Sequence, residues 1–111
     1  MNPGTVSGSF RLSPARIAHI LDGDATGGGH GPGRNLSGKS EFPRTLTDAA
    51  IVSGIVAIAN DPASFPGGVI PVRGRRMRIQ GSIGGTATIV IVDLASREIV
   101  TAYPSGIARN P

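Results

Sequence analysis

At 111 residues the chain has room for one domain, which buries roughly two thirds of its unfolded surface on folding, so a two-layer core fits and a large catalytic scaffold does not. Aromatics are 4% of the residues and tryptophan is absent, leaving Ile, Val, Leu and Ala to build the core; without cysteine, disulfides and thiolate metal ligands are excluded. Eleven basic against seven acidic residues give a net charge of +4, and every basic group but Lys39 is an arginine, whose planar fork suits phosphate, so the composition favours nucleic acid or an acidic protein as partner.

Residues 1–12 are polar and rich in Gly, Ser and Pro and read as a flexible leader, with 13–111 as the domain. They lack the charged start and apolar run of an export signal, and no segment approaches the roughly 20 apolar residues of a membrane span. Ser13-Pro14 is an N-cap and first-turn pair, followed by a short helix over 15–21 with Ile17, Ile20 and Leu21 inward and His19 near its C-terminal end. Residues 23–38 form a glycine-rich loop holding His30, closed by the apolar anchor Phe42-Pro43. Thr47-Asp48 opens a second helix, with Ile51, Val52, Ile55, Val56 and Ile58 at helical spacing until Asn60-Asp61-Pro62 stops it. The period then changes to two: 75–80, 86–92 and 97–103 read as strands joined by Gly84-Gly85 and Leu94-Ala95-Ser96, with 69–72 a candidate fourth. Helices followed by an antiparallel sheet make an α+β fold.

The stretch Gly33-Arg34-Asn35-Leu36-Ser37-Gly38-Lys39-Ser40 satisfies the phosphate-loop pattern as a string, and Asp93 after the apolar run 89–92 resembles a magnesium carboxylate. The context opposes it. That motif needs a buried strand before it and an unbroken helix after it. Here Gly27-Gly28-Gly29-His30-Gly31-Pro32 precedes it, Pro43 falls where the helix should begin, and Asp93 reads as a strand-end turn residue.

The chain's two histidines and single lysine all lie between Ala18 and Ser40. RNA transesterification needs such a set: one imidazole takes the ribose 2′-hydroxyl proton, another protonates the 5′-oxygen, and an ammonium meets the charge building on phosphorus. Taken one at a time, His19 is equally a helix-end cap, His30 a solvated loop residue and Lys39 a surface charge. A metal site of both histidines with Asp22 or Asp24 lacks the tight spacing of zinc motifs, and no metal or cofactor is expected. Asp22 and Asp24 read first as helix-ending residues and second as groups that orient an imidazole.

Four segments, His19-Ile20-Leu21-Asp22-Gly23-Asp24, Gly27-Gly28-Gly29-His30, Gly38-Lys39-Ser40-Glu41-Phe42-Pro43 and Ile99-Val100-Thr101-Ala102-Tyr103-Pro104, resemble the bacterial EndoU nuclease family in order, from about Arg16 to the chain's end. The resemblance implies a metal-independent RNA endonuclease, often cutting next to uridine and leaving a 2′,3′-cyclic phosphate, on the sheet shared with barnase-like, colicin-like and RelE-like toxins. It places the general acid on His19, the general base on His30, the phosphate-stabilising group on Lys39, and further catalytic roles on Thr101 and Tyr103, with the acid and base roles exchangeable. Gly29 and Ser40 fall in its motifs as candidate substrate contacts. It also implies a C-terminal domain of a secreted polymorphic or contact-dependent toxin that acts on RNA, tRNA being a candidate, in the target-cell cytoplasm and meets a cognate immunity protein. The intervals between His19, His30 and Lys39 are shorter than in animal and viral members, so base preference and manganese dependence do not carry over.

Strand geometry adds that Thr101 and Tyr103, two apart, share one face. Tyr103 is otherwise a half-buried strand aromatic. Arg73, Arg75, Arg76 and Arg78 form the densest charge cluster; Arg76 and Arg78 share a face and are candidates for an RNA backbone or an acidic immunity protein, against the alternative of a charge-protected edge strand. Three classes follow: an RNA endonuclease, a magnesium-dependent nucleotide-binding domain, and a non-catalytic RNA-binding or toxin-partner module.

Overall fold

Ser13 and Thr47 each start a helix by the same device. In the computed structural model, which describes residues 10–61, 69–73 and 76–111, the Ser13 hydroxyl accepts the Arg16 amide at 3.2 Å and the Thr47 hydroxyl accepts the Ala50 amide at 3.1 Å. Caps of this kind are worth about 1 kcal/mol each. They open α1 (Pro14–Asp22) and α2 (Asp48–Asn60), which precede the strands β1 (Val69–Arg73), β2 (Arg76–Ile83), β3 (Thr86–Asp93) and β4 (Glu98–Pro104).

The four strands form one antiparallel sheet in the order β1-β2-β3-β4. The architecture is α+β, helices first and sheet second. Gly84 and Gly85, both at positive φ, make the tight β2–β3 turn, the backbone sign that matches strand twist. β2 continues past Gln80 to Ile83, while β4 starts at Glu98 because Arg97 turns left-handed at φ +61°. The Asp93 carboxylate accepts the Ala95 and Ser96 amides at 2.9 and 3.0 Å, so it serves the β3–β4 turn.

Helix α2 buries Ile51, Ile55, Ile58 and Ala59, a stripe at i, i+4, i+7 and i+8, against the sheet. The approach is close because glycines face it: a Cβ on Gly54 would stand 2.7 Å from Ile83, and one on Gly81 would stand 2.7 Å from Ile58. Beneath the helix, Ile79, Val90 and Ala102 are register partners across three strands, all buried. Between β3 and β4 the register slips: Ile91 pairs with Thr101 and Val92 with Ile99, leaving Val100 as an extra residue. This bulge lets Ile99 and Ala102 both face the core while Thr101 and Tyr103 face away from it.

Of the leader expected over residues 1–12, residues 1–9 lie outside the described residues, while Phe10 and Arg11 are tied to the domain. Phe10 is buried, with Arg97 5.4 Å above its ring, and its amide and carbonyl both bond the Asn60 side chain. Arg11 then runs parallel to β4, donating its amide to the Arg97 carbonyl and accepting the Ile99 amide. That places α1 beside β4. Among the described residues no helix is long and apolar enough to cross a membrane.

Candidate active site

A helix end leaves carbonyls without partners, and in α1 the glycine-rich loop supplies them. Gly23 donates to the Ala18 and His19 carbonyls, Gly29 to His19, His30 to Ile20 at 2.7 Å, and Gly31 to Leu21 at 2.9 Å. Residues 29–31 thus run along the last turn of α1 and hold His30 beside the helix that carries His19. Side chains would block this path. Gly28 has φ +78°, and a Cβ there would run into the His19 carbonyl. Gly29 is buried with its amide on His19, so its contribution is to place His30.

His19 is buried, and its Nδ1 lies 3.0 Å from Asp24 Oδ1. Asp24 and Gly27 exchange backbone hydrogen bonds across a tight turn, which aims the carboxylate back at the helix end. The hydroxyl and amide of Thr26 both donate to the same carboxyl oxygen, at 2.6 and 2.9 Å, and together with His19 they hold the Asp24 pKa down to about 2. Asp24 is therefore an anion at neutral pH, and its carboxylate accepts from His19 Nδ1. With Nδ1 committed, Nε2 is the position from which His19 can exchange a proton. Asp22 does not share this role; it pairs with Arg34 at 3.0 Å, and Arg34 also pairs with Asp48 at 2.9 Å.

His30 sits in a contrasting environment. Its Nδ1 lies 2.7 Å from the Ser40 carbonyl, which can only accept, so Nδ1 carries hydrogen and the neutral ring has its lone pair on Nε2. Burial first, and then the charges of Lys39, His19 and Arg109, push the His30 pKa below its ordinary value, against the opposing pull of the Ser40 carbonyl. Its ring meets Tyr103 at 5.9 Å between centroids, tilted by 40°.

Among the described residues, β4 contributes to two clefts. The first, of about 220 Å³, is lined by His30, Gly38, Lys39, Ser40, Tyr103 and Arg109. The second, of about 370 Å³, is lined by Arg16, His19, Thr26, Arg76, Val100 and Thr101. Thr101 and Tyr103, neighbours on one strand face, thus contribute one residue to each. Lys39 lines the His30 cleft, and its ammonium lies 4.0 Å from the point a Cβ on Gly27 would occupy. Ser40 is buried, its hydroxyl donating to the Pro104 carbonyl at 3.4 Å. Arg78 lines neither cleft; it stands in register with Ile91, which in turn pairs with Thr101.

Lys39 is positioned by the chain's end. Asn110 accepts the Gly38 amide, donates its own amide to the Lys39 carbonyl, and donates its side-chain amide to the Leu36 carbonyl and to Glu41. Glu41 also accepts the Gly33 and Asn35 amides, at 2.8 and 2.6 Å, and these donors lower its pKa, Asn110 most of all. No strand leads directly into residues 33–40 and no helix starts directly after them, and Glu41 and Asn110 occupy three of the amides that a phosphate loop would aim at its nucleotide. Among the described residues no three His, Asp or Glu side chains converge as a metal site.

Arg109, Arg16 and Thr26 are cleft residues that sequence reasoning did not select. Arg16 carried a signal, since it precedes His19 by three residues and shares its helix face. Arg109 carried none, because it reaches the cleft through the bonds of Asn110 to Gly38 and Lys39, far away in sequence. No family model, no curated protein and no solved structure matches the chain, so the chemistry of these clefts is read from their own residues.

Proposed function

We propose that the protein is a metal-independent RNA endonuclease that cleaves by transesterification. His30 Nε2 takes the proton of a ribose 2′-hydroxyl, the freed oxygen attacks the adjacent phosphorus, and the bond from phosphorus to the 5′-oxygen breaks. His19 Nε2 gives its proton to that departing oxygen. The products are a 2′,3′-cyclic phosphate and a 5′-hydroxyl, with His30 left protonated and His19 neutral. Lys39 meets the charge that develops on the phosphoryl oxygens. Thr101 lines the cleft of His19 and Tyr103 the cleft of His30, Tyr103 offering its ring to the base or sugar on that side.

The observation that carries this reading is the opposite setting of the two imidazoles. His19 is backed by a permanent carboxylate, whereas His30 is partly buried, bound to a carbonyl and surrounded by cations. Each ring is held through Nδ1 and keeps Nε2 for proton exchange, and the two together serve as acid and base. The resemblance to bacterial EndoU nucleases supports the same assignment, and extends it to a toxin domain delivered from a larger protein and neutralised by an immunity protein.

The test is cleavage of uridine-containing RNA in EDTA, with cyclic phosphate ends read by mass spectrometry. His30→Ala should abolish cutting while circular dichroism keeps the wild-type form. Cutting that persists in this variant, or that requires magnesium and ATP, overturns the assignment. Tight RNA binding without cutting points instead to a binding module.

A further inference from the structure

The second cleft contains more than an acid. Arg16 and Arg76 line it beside His19 and Thr101, one brought by α1 and the other by the first residue of β2. Among the described residues neither arginine pairs with a carboxylate, in contrast to Arg34, which takes both Asp22 and Asp48. The register partner of Arg76 is Asp93, whose carboxylate is turned to the Ala95 and Ser96 amides. Asp24, the carboxylate beside His19, is held by His19 and Thr26. Two unpaired guanidinium groups from distant parts of the chain converge on one concave space next to the proton donor.

We infer that Arg16 and Arg76 form a phosphate subsite for the nucleotide that departs, binding the phosphodiester one linkage 3′ of the scissile one. The inference rests on the proposed reaction, which sets the polarity. The proton donor must stand at the leaving 5′-oxygen, so the strand continues 3′ past His19 and into the cleft of Arg16 and Arg76. The 5′ side lies over His30 and Tyr103. Guanidinium groups bind phosphate in charge-assisted, forked geometry, and the phosphate contact carries no base preference. The enzyme is then one that requires chain beyond the cut.

The substrate for the test is a 2′-O-methyl oligonucleotide with a single ribouridine, cut in EDTA. In one copy the phosphate 3′ of the scissile linkage is replaced by a neutral methylphosphonate, and in another the phosphate 5′ of it. For wild type, the 3′ replacement should lower kcat/KM by roughly tenfold, the scale of one charge-assisted contact. In the double variant Arg16→Ala, Arg76→Ala that penalty should shrink to a ratio near one, while sensitivity to the 5′ replacement persists. Wild type that cuts the parent oligonucleotide but ignores the 3′ replacement overturns the subsite and leaves the nuclease reading standing. A 3′ penalty undiminished in the double variant also overturns it. Wild type that cuts neither this substrate nor plain RNA in EDTA overturns both.

Discussion

The His30 amide donates to the Ile20 carbonyl at 2.7 Å, one residue beyond His19, so both imidazoles are carried by the last turn of α1 and the loop pinned to it. Their relative position is a backbone property, set by hydrogen bonds that satisfy a helix end. Mutations that disturb this pairing should cost activity before they cost the fold.

Gly28→Ala is the direct case. Its left-handed φ of +78° and the obstruction at the His19 carbonyl should lower stability by about 1–3 kcal/mol and RNA cleavage by at least a hundredfold. Gly33→Ala is the control: φ is +80°, but nothing lies within 4 Å of the added Cβ, so only the backbone cost of about 1 kcal/mol applies. Thermal melts and single-turnover cleavage of the two variants separate misplacement of the histidines from simple strain.

Asp24→Asn keeps the shape of the side chain and removes its charge. The His19 ring loses its anionic partner, and kcat should fall about 10- to 100-fold with KM little changed, because the contact matters most when the proton moves. Asp22→Asn, which only weakens a bond to Arg34, should leave kcat within a factor of two or three. Equal losses in the two variants would remove the distinction drawn between these carboxylates.

His30 also makes a pH prediction. Its folded pKa lies below the ordinary 6.5, so as pH falls past 6.5 the unfolded chain takes up a proton before the folded chain does. Stability should therefore decline with acidification from pH 6.5 down to the lowered folded value, and be unaffected by this group above 6.5. His30→Asn, whose side-chain amide can still donate to the Ser40 carbonyl, should flatten that part of the profile in thermal melts. A wild-type curve that rises on acidification through this window would contradict the assigned direction.

Asn110→Ala removes side-chain bonds to Leu36 and Glu41. At about 1 kcal/mol per bond the melting point should drop by several degrees. Cleavage should fall further than stability accounts for, because the same tail places Arg109 and the Lys39 loop against His30. Measuring both at a temperature well below the transition tells the two effects apart.

Much of this protein is written locally. Ser13 and Thr47 as caps, the i, i+4, i+7 stripe of α2, the two-residue alternation of the strands and the Gly84-Gly85 turn are short-range properties, and each predicts its element to within a few residues. The three polar groups His19, His30 and Lys39, and the shared face of Thr101 and Tyr103, are legible for the same reason. The tertiary structure alone decided which partner each group received: Asp24 rather than Asp22 on His19, the Ser40 carbonyl on His30, the Val100 bulge that keeps both Ile99 and Thr101 on their proper faces, the segment that brings Arg109 to the His30 cleft, and the cleft that Arg16 and Arg76 both line. These are contacts between residues distant in sequence or pointing out of turns. Side-chain spacing within one element carries no information about them, because they depend on where packing brings separate elements to rest.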